Sequence, residues 1–309
     1  MRKWAGFWLV GLIWGSSFLL IRVGVEEIAP FQLVFIRTGI AAVGLNLVML
    51  LRGKRYPANL RALLPLLIIG IGNTALPFSL ITWGEKSVES GLASVLQASA
   101  SLFTLVIAHF TFADERITLQ KALGLLLGFI GVIVLASRSW ADGQLVTGNF
   151  VGQLAIIGAS LCYATFTTYS RKVIQNRFEP IVVSAGAMTA AAVVSGIAML
   201  IAPLFGGQPA TPLADLSSEV LNSALVLGLV NTFVAYLFYY WIVQELGAAR
   251  ASMVTYVVPA VGLALGVIFL NELLDLRLII GAGLIFLAIA VVNVGGLRRL
   301  IAASPRMAG

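Results

Sequence analysis

The feature that most constrains this chain is a series of apolar runs, each about as long as a bilayer core is thick. An α-helix rises 1.5 Å per residue, so roughly 20 apolar residues cross about 30 Å of hydrocarbon. Ten runs meet that requirement: 4–24, 30–51, 62–82, 90–112, 119–137, 150–172, 180–202, 221–242, 249–270 and 276–294. Charge, glycine or proline separates them, at Glu26-Glu27, Arg52–Arg55, Glu85-Lys86, Asp114–Arg116, Trp140–Gly143 and Gly206–Pro209. In lipid every backbone group must bond within its own segment or around a closed barrel. Barrel strands are shorter and alternate in polarity. The runs here are long and uniformly apolar, which predicts an all-α polytopic membrane protein with ten transmembrane helices.

Composition agrees. Hydrophobic residues make up 60% and charged residues 11%, against roughly 25% charged in a soluble domain. The net charge of +7 would suit a nucleic-acid binder, but the excess sits in the turns, with no basic run interleaved with aromatics. No nucleic-acid partner is expected. With the N-terminus in the cytoplasm, fifteen of the 20 Lys and Arg fall inside: Arg2, Lys3, Arg52, Lys54, Arg55, Arg61, Arg116, Lys121, Arg171, Lys172, Arg177, Arg250, Arg298, Arg299 and Arg306. Four fall outside, Arg22, Lys86, Arg138 and Arg277, and Arg37 lies within a run. This positive-inside bias predicts a multi-pass protein of the cytoplasmic (inner or plasma) membrane with both termini cytoplasmic. The first run has the charge and apolarity of a signal peptide, but it continues to Gly24 without a small-residue cleavage site, so it reads as the first span. The single cysteine, Cys162, cannot form an internal disulfide or a zinc cluster, and the single histidine, His109, leaves a histidine-based metal site or a Ser-His-Asp triad only if it serves alone. No metal, cofactor or catalytic residue is expected.

The halves resemble one another. Pro30 and Pro180 open corresponding runs. Asn73 and Trp83 match Asn231 and Trp241 at equal spacing, Ala93-Ser94 matches Ala251-Ser252, Glu115 matches Glu272 and Gly124 matches Gly281. The order is collinear, and the offset drifts only between 149 and 158 residues. The units are residues 1–138 and 149–297, followed by a cytoplasmic tail, 298–309. Five runs per unit is an odd number, so the second copy enters the membrane upside down. Two inverted five-helix repeats are a transporter architecture.

These residues resemble the EamA family of the drug/metabolite transporter superfamily. The resemblance is carried by Trp14-Gly15-Ser16-Ser17-Phe18, by Arg37, by Glu115 and Glu272 after runs four and nine, and by the glycine-rich runs five and ten. It spans roughly residues 5–297. It implies a secondary carrier, working without ATP, that exports amino acids or related metabolites. The second half departs from the pattern: Ala164 stands where the first has Gly15, and no basic residue near Met188 answers Arg37.

Polar side chains in a span tend to face the bundle interior or a wet cavity. Ser94, Gln97, Ser101, Thr104 and Thr111 form one stripe on run four, and Ser160, Tyr163, Thr167 and Ser170 another on run six. Together with Trp14, Ser17, Asn73, Pro77, Asn231, Tyr236, Tyr256 and Pro259, these predict a cavity lined by runs one, three, four, six, eight and nine. Gln97, Asn73 and Asn231 would supply directional hydrogen bonds, and Trp14, Tyr163, Tyr236 and Tyr256 aromatic walls. The competing reading of each is interhelical packing. Arg37 is a gating or ion-pair candidate, with an acid such as Glu26, Glu27 or Glu89 as partner, or else a contact for a substrate carboxylate or a side chain that snorkels to the interface. His109 is a proton-relay candidate. Glu115 and Glu272 read as loop-pairing residues ahead of the caps Thr118 and Asp275. Gly124, Gly128, Gly131, Gly281 and Gly283 give smooth faces for a repeat-to-repeat or dimer contact, the chain being a monomer or homodimer. Proton coupling, facilitation and exchange all stay open, since no acid lies at mid-span. The alternatives to a carrier of a small-molecule substrate are an intramembrane lipid-modifying enzyme, which would want clustered acids, and a membrane scaffold, which would want longer polar segments. A reporter active only outside the cytoplasm, fused after residue 297, will be silent, and the same reporter inserted at 85–89 will be active; the reverse pattern contradicts the topology.

Overall fold

The computed structural model describes residues 2–113, 115–137, 148–174 and 177–302. Among these residues the chain is helical, with no strand. Among the described residues nine helices are long and apolar enough to cross a membrane: α1 (Arg2–Gly24), α2 (Pro30–Leu51), α3 (Arg61–Gly84), α4 (Ser90–Thr111), α5 (Leu119–Ala136), α6 (Asn149–Val173), α7 (Pro180–Phe205), α8 (Ser218–Leu246) and α9 (Ser252–Leu270). A further helix, α10 (Leu276–Ala302), has a shorter apolar part, Leu276–Val292. It runs past residue 297 into the segment assigned to the tail. Asp114, Arg138, the 140–143 turn and Arg306 lie outside the described residues.

Local chemistry sets the helix starts. Pro30 and Pro180 sit in first turns, where the missing N–H costs nothing. Thr118 accepts the Lys121 N–H at 3.3 Å and Asp275 Oδ1 the Leu278 N–H at 2.7 Å, so both are the caps expected of them.

Packing follows the small residues. α5 lies along α10, and α2 along α7. A methyl group on Gly131 would sit 2.9 Å from the Gly281 carbonyl oxygen, and one on Gly124 would meet the Ala288 carbonyl at 3.1 Å. Only glycine permits backbones this close. The smooth faces thus join the two halves of one chain. Elsewhere α3 packs on α6 and α1 on α8, and α4 and α9 cross each other.

The two ends of the bundle differ in charge. One, the acidic end, carries Glu26, Glu27, Glu85, Glu89 and Glu272; the other, the basic end, carries Arg52, Lys54, Arg55, Arg116 and Lys172. The acidic end is laced shut. Gln32 exchanges two hydrogen bonds with the Thr211 backbone (2.6 and 2.8 Å), Glu27 accepts the Ser217 N–H (2.7 Å), and Lys86 donates to Gln208 (2.9 Å). At the basic end Lys54 pairs with Glu179 (2.5 Å) and Arg171 with Glu115 (2.7 Å). These pairs are partly exposed and contribute little to stability.

Substituting Gly131→Leu will separate α5 from α10 and cost about 1–3 kcal/mol. Gly283, whose missing side chain would meet nothing within 4 Å, will accept leucine with an unchanged melting midpoint in detergent. Equal loss from both substitutions contradicts this account of the contact.

Candidate functional site

The helices that meet at the centre are irregular at matching positions. α3 contains a π-turn at Ile71–Ala75 and α8 one at Leu229–Val234. Each holds an Asn-Thr pair, Asn73-Thr74 and Asn231-Thr232. In α3 the cause is Pro77, which has no N–H for the Asn73 carbonyl four residues back. In α8 the Thr232 hydroxyl donates to the Leu227 carbonyl at 2.8 Å, satisfying a backbone acceptor at the widened turn. The π-turn of α3 packs on α7 and that of α8 on α2. α4 breaks between Gln97 and Ala100, and α9 opens with a 3₁₀ segment, Ser252–Tyr256, that turns into α-helix at Val258. The stripe expected along α4 is therefore split at Ala98–Ser99.

Trp14-Gly-Ser-Ser-Phe18 is the hub. A methyl group on Gly11 would meet Val257 at 2.8 Å, and Gly15 abuts Val261, so α1 runs close against α9. Ser16 and Ser17 accept the Asn231 amide at 3.0 and 3.1 Å, and the same nitrogen donates to the Ile13 carbonyl. Trp14 packs edge-on to Tyr236 (centroids 6.1 Å) and against Tyr239 (5.1 Å). Asn231 thus ties α8 to α1. Asn73 accepts from Thr167 at 3.4 Å.

Arg37 is buried, with 7% exposure. Its Nε donates to Thr232 Oγ1 at 2.8 Å, and its guanidinium lies 3.9 Å from the centroid of the Phe78 ring. The π-turn of α8 therefore supplies its anchor, and a cation–π contact offsets part of the cost of burying the charge. Its two Nη groups make no hydrogen bond to the described residues. Tyr163, Tyr236 and Glu85 lie within electrostatic range. Glu85, which is not among the acids put forward from the sequence, is an acid within that range.

Gln97 is half-buried at the break in α4, and its amide makes no hydrogen bond to the described residues. Ser160 donates to the Gln97 carbonyl (3.2 Å), and Ser94 to the Pro259 carbonyl (3.2 Å). Exposure then grows toward the basic end. On α6 Ser160 is buried, Tyr163 half-buried and Thr167 exposed; on α4 Ser94 is buried while Gln97 and Ser101 are half-buried. Along these two stripes burial is therefore greatest toward the acidic end and falls toward the basic end. Tyr256 is half-buried against the central core cluster and Pro77 is buried. Ser101 bonds back to the Ala98 carbonyl. His109 lies apart: its Nδ1 accepts the Ile117 N–H at 3.1 Å and so ties the 112–118 connection.

Two glutamates organise the closed end. Glu272 accepts the N–H groups of Ser90 (2.6 Å) and Gly91 (2.8 Å), capping α4 from the opposite half of the chain, and it rests on Gly266, where a side chain would displace it. Glu85, the first residue after α3, has no exposure, and neither carboxylate oxygen has a partner among the described residues. Its backbone carbonyl instead takes Arg22 Nη1, which also bonds the Lys86 carbonyl (2.5 and 3.1 Å). Burial pushes the Glu85 carboxyl well above the usual carboxylate range and Glu272 adds to this, while Arg22 and Arg37 pull it down. Glu85, Phe78 and Thr232 were missing from the sequence-derived set. The repeated Asn-Thr pair was the available signal for Thr232; Glu85 beside Lys86 looks like a solvated turn.

The sequence model of the EamA-like transporter family matches residues 4–137 and 150–294. The chain belongs to that family. A transporter of Archaeoglobus fulgidus is 29% identical over 94% of this chain and 99% of its own length. An inner membrane transporter of Escherichia coli is 30% identical over 92% and 88%. A probable amino-acid metabolite efflux pump of Escherichia coli is 28% identical over 94% of each. A solved crystal structure superposes with a TM-score of 0.66 over 95% of this chain and 97% of its own at 21% identity, which speaks to the fold. In this EamA-like protein the family-type motif around Trp14 builds the tie to α8, and Arg37 docks on the same turn.

Gln97 and Asn231 separate cavity from packing. Asn231→Ala will lower stability by about 1–2 kcal/mol, because it strips hydrogen bonds between helices. Gln97→Ala will leave the melting midpoint unchanged and reduce transport. A Gln97→Ala protein with full flux moves Gln97 to a packing role.

Proposed function

We propose that this EamA-like protein is a secondary carrier that exports a small metabolite, an amino acid or related compound, across the cytoplasmic membrane by alternating access. The observation that carries this is the pairing of helix interruptions: π-turns in α3 and α8, and breaks in α4 and α9, at corresponding places in the two halves. Interrupted helices at matching positions of two repeats mark transporter binding sites, because irregular backbone at membrane depth needs a cavity or protein around it. The family match falls in two segments, and the packing of α2 on α7 and α5 on α10 relates the same element of each half. Both support ten spans arranged as inverted repeats of 1–138 and 149–297. The efflux pump among the relatives supports the metabolite class and the direction.

In this reading the cleft holds the solute between Trp14, Tyr163 and Tyr236, with Gln97 and Arg37 supplying polar contacts. The Nη groups of Arg37 suit a carboxylate. Rocking the halves closes the basic end and parts the acidic end, which by the charge bias faces outward.

Purified protein in liposomes preloaded with an amino acid pool will show saturable exchange without ATP. Arg37→Lys will lower the rate at least about tenfold, since an ammonium cannot reproduce both the Thr232 bond and the contact with Phe78. Absence of saturable flux across amino acids and related metabolites contradicts the proposal.

A further inference from the structure

Glu85 is the one carboxylate here that combines full burial with two unpartnered oxygens among the described residues. Its surroundings are built from every neighbouring element. α1 presents Arg22, whose guanidinium is committed to the carbonyls of Glu85 and Lys86 rather than to the carboxylate. α2 presents Arg37, anchored on Thr232 and Phe78. The 271–275 connection presents Glu272, committed to the N-terminus of α4. α6 packs Gly152 and Ile156 against Gly84 and brings no charge to this contact. On its own connection, Lys86 reaches away to Gln208. At the start of α4, near Gly266, the Ser90 hydroxyl is also buried and without a partner among the described residues.

An ionised carboxylate held this way has lost its water and gained no hydrogen bond, and it faces a second, occupied carboxylate at Glu272. Both effects favour the neutral acid. The cost exists only while the end is shut, because opening returns water to Glu85. The proton is thus bound more tightly by the closed end than by the open one, and linkage runs both ways. We infer that Glu85 is a proton-binding switch for this closure: the shut acidic end holds it as the carboxylic acid, and loss of that proton to water opens the end. The step is carboxylic acid to carboxylate plus a released proton, with no other reactant. Closure is favoured at low pH and lost as pH rises from the ordinary carboxylate range toward the raised closed-state value. The inference rests on the alternating-access reading only in requiring that the acidic end can open.

The test reads opening directly and needs no substrate. In the full chain with Cys162→Ser, Val88→Cys places a thiol where the native side chain has no exposure, in the 85–89 connection. Its reaction with a membrane-impermeant maleimide is measured in liposomes from pH 5 to 8 and divided by the rate at Ala210→Cys, an exposed position, to remove the intrinsic pH dependence of thiols. The ratio will rise about tenfold or more over this range, the limit for one proton being tenfold per pH unit. Adding Glu85→Gln will flatten it at the low, closed value. Glu85→Asp will keep a rise displaced along the pH axis, which serves if the glutamine variant does not yield monodisperse protein. A flat ratio with Glu85 present, a flat ratio with Asp, or an unchanged rise with Gln overturns the switch. Flux measured separately keeps the two readings apart, since transport with pH-independent labelling sinks the switch alone, and pH-gated labelling without transport sinks the carrier alone.

Discussion

A bilayer offers the backbone no hydrogen-bond partner, so each departure from regular helix inside this bundle has to be matched by the protein itself. Among the described residues the departures lie in α3, α4, α8 and α9, with a further π-turn, Ser170–Ile174, at the end of α6. The Thr232 hydroxyl covers the Leu227 carbonyl in α8, and Pro77 removes the donor that would have closed the turn in α3. These widened turns turn polar side chains inward. Asn231 clasps the serines of α1, and Thr232 receives Arg37. In the proposed carrier the cleft follows from where the helices fail to be regular.

The electrostatics follow from the same place. Arg37 is tolerated because an aromatic ring and a hydroxyl meet its guanidinium, while its Nη groups make no hydrogen bond to the described residues. Glu272 is tolerated because two backbone N–H groups at a helix start satisfy it. Glu85 has neither kind of compensation among the described residues. It sits where α1, α2, α3 and the 271–275 connection converge, so its charge state bears on the closure that all of them form.

Much of this was legible in the amino-acid order. The apolar runs gave the helices, because length and apolarity are read residue by residue. Pro30, Pro180, Thr118 and Asp275 marked helix starts, since capping is local chemistry. Gly124, Gly128 and Gly131 announced a close contact, and its partner proved to be α10 of the same chain. Periodicity does not show the break at Ala98–Ser99, because the three- and four-residue spacing of the α4 stripe runs through it without interruption. Nor could it show the environment of Glu85. An acid beside a lysine reads as a solvated turn, and only the convergence of distant segments buries it. Spacing also could not separate Gln97 from Asn231: both are amides near mid-span, yet one is clasped by α1 and the other is without a partner among the described residues.

The central claim is that the two ends of one cleft open in turn. Its most direct test is a pair of distance distributions by pulsed electron resonance in lipid nanodiscs. One label pair, at positions 86 and 273, spans the acidic end, and the other, at 110 and 245, spans the basic end. The account predicts two populations at each end whose weights move in opposite directions with pH and solute, short at one end when long at the other. A single fixed distance at both ends under all conditions, or both ends widening together, would contradict it.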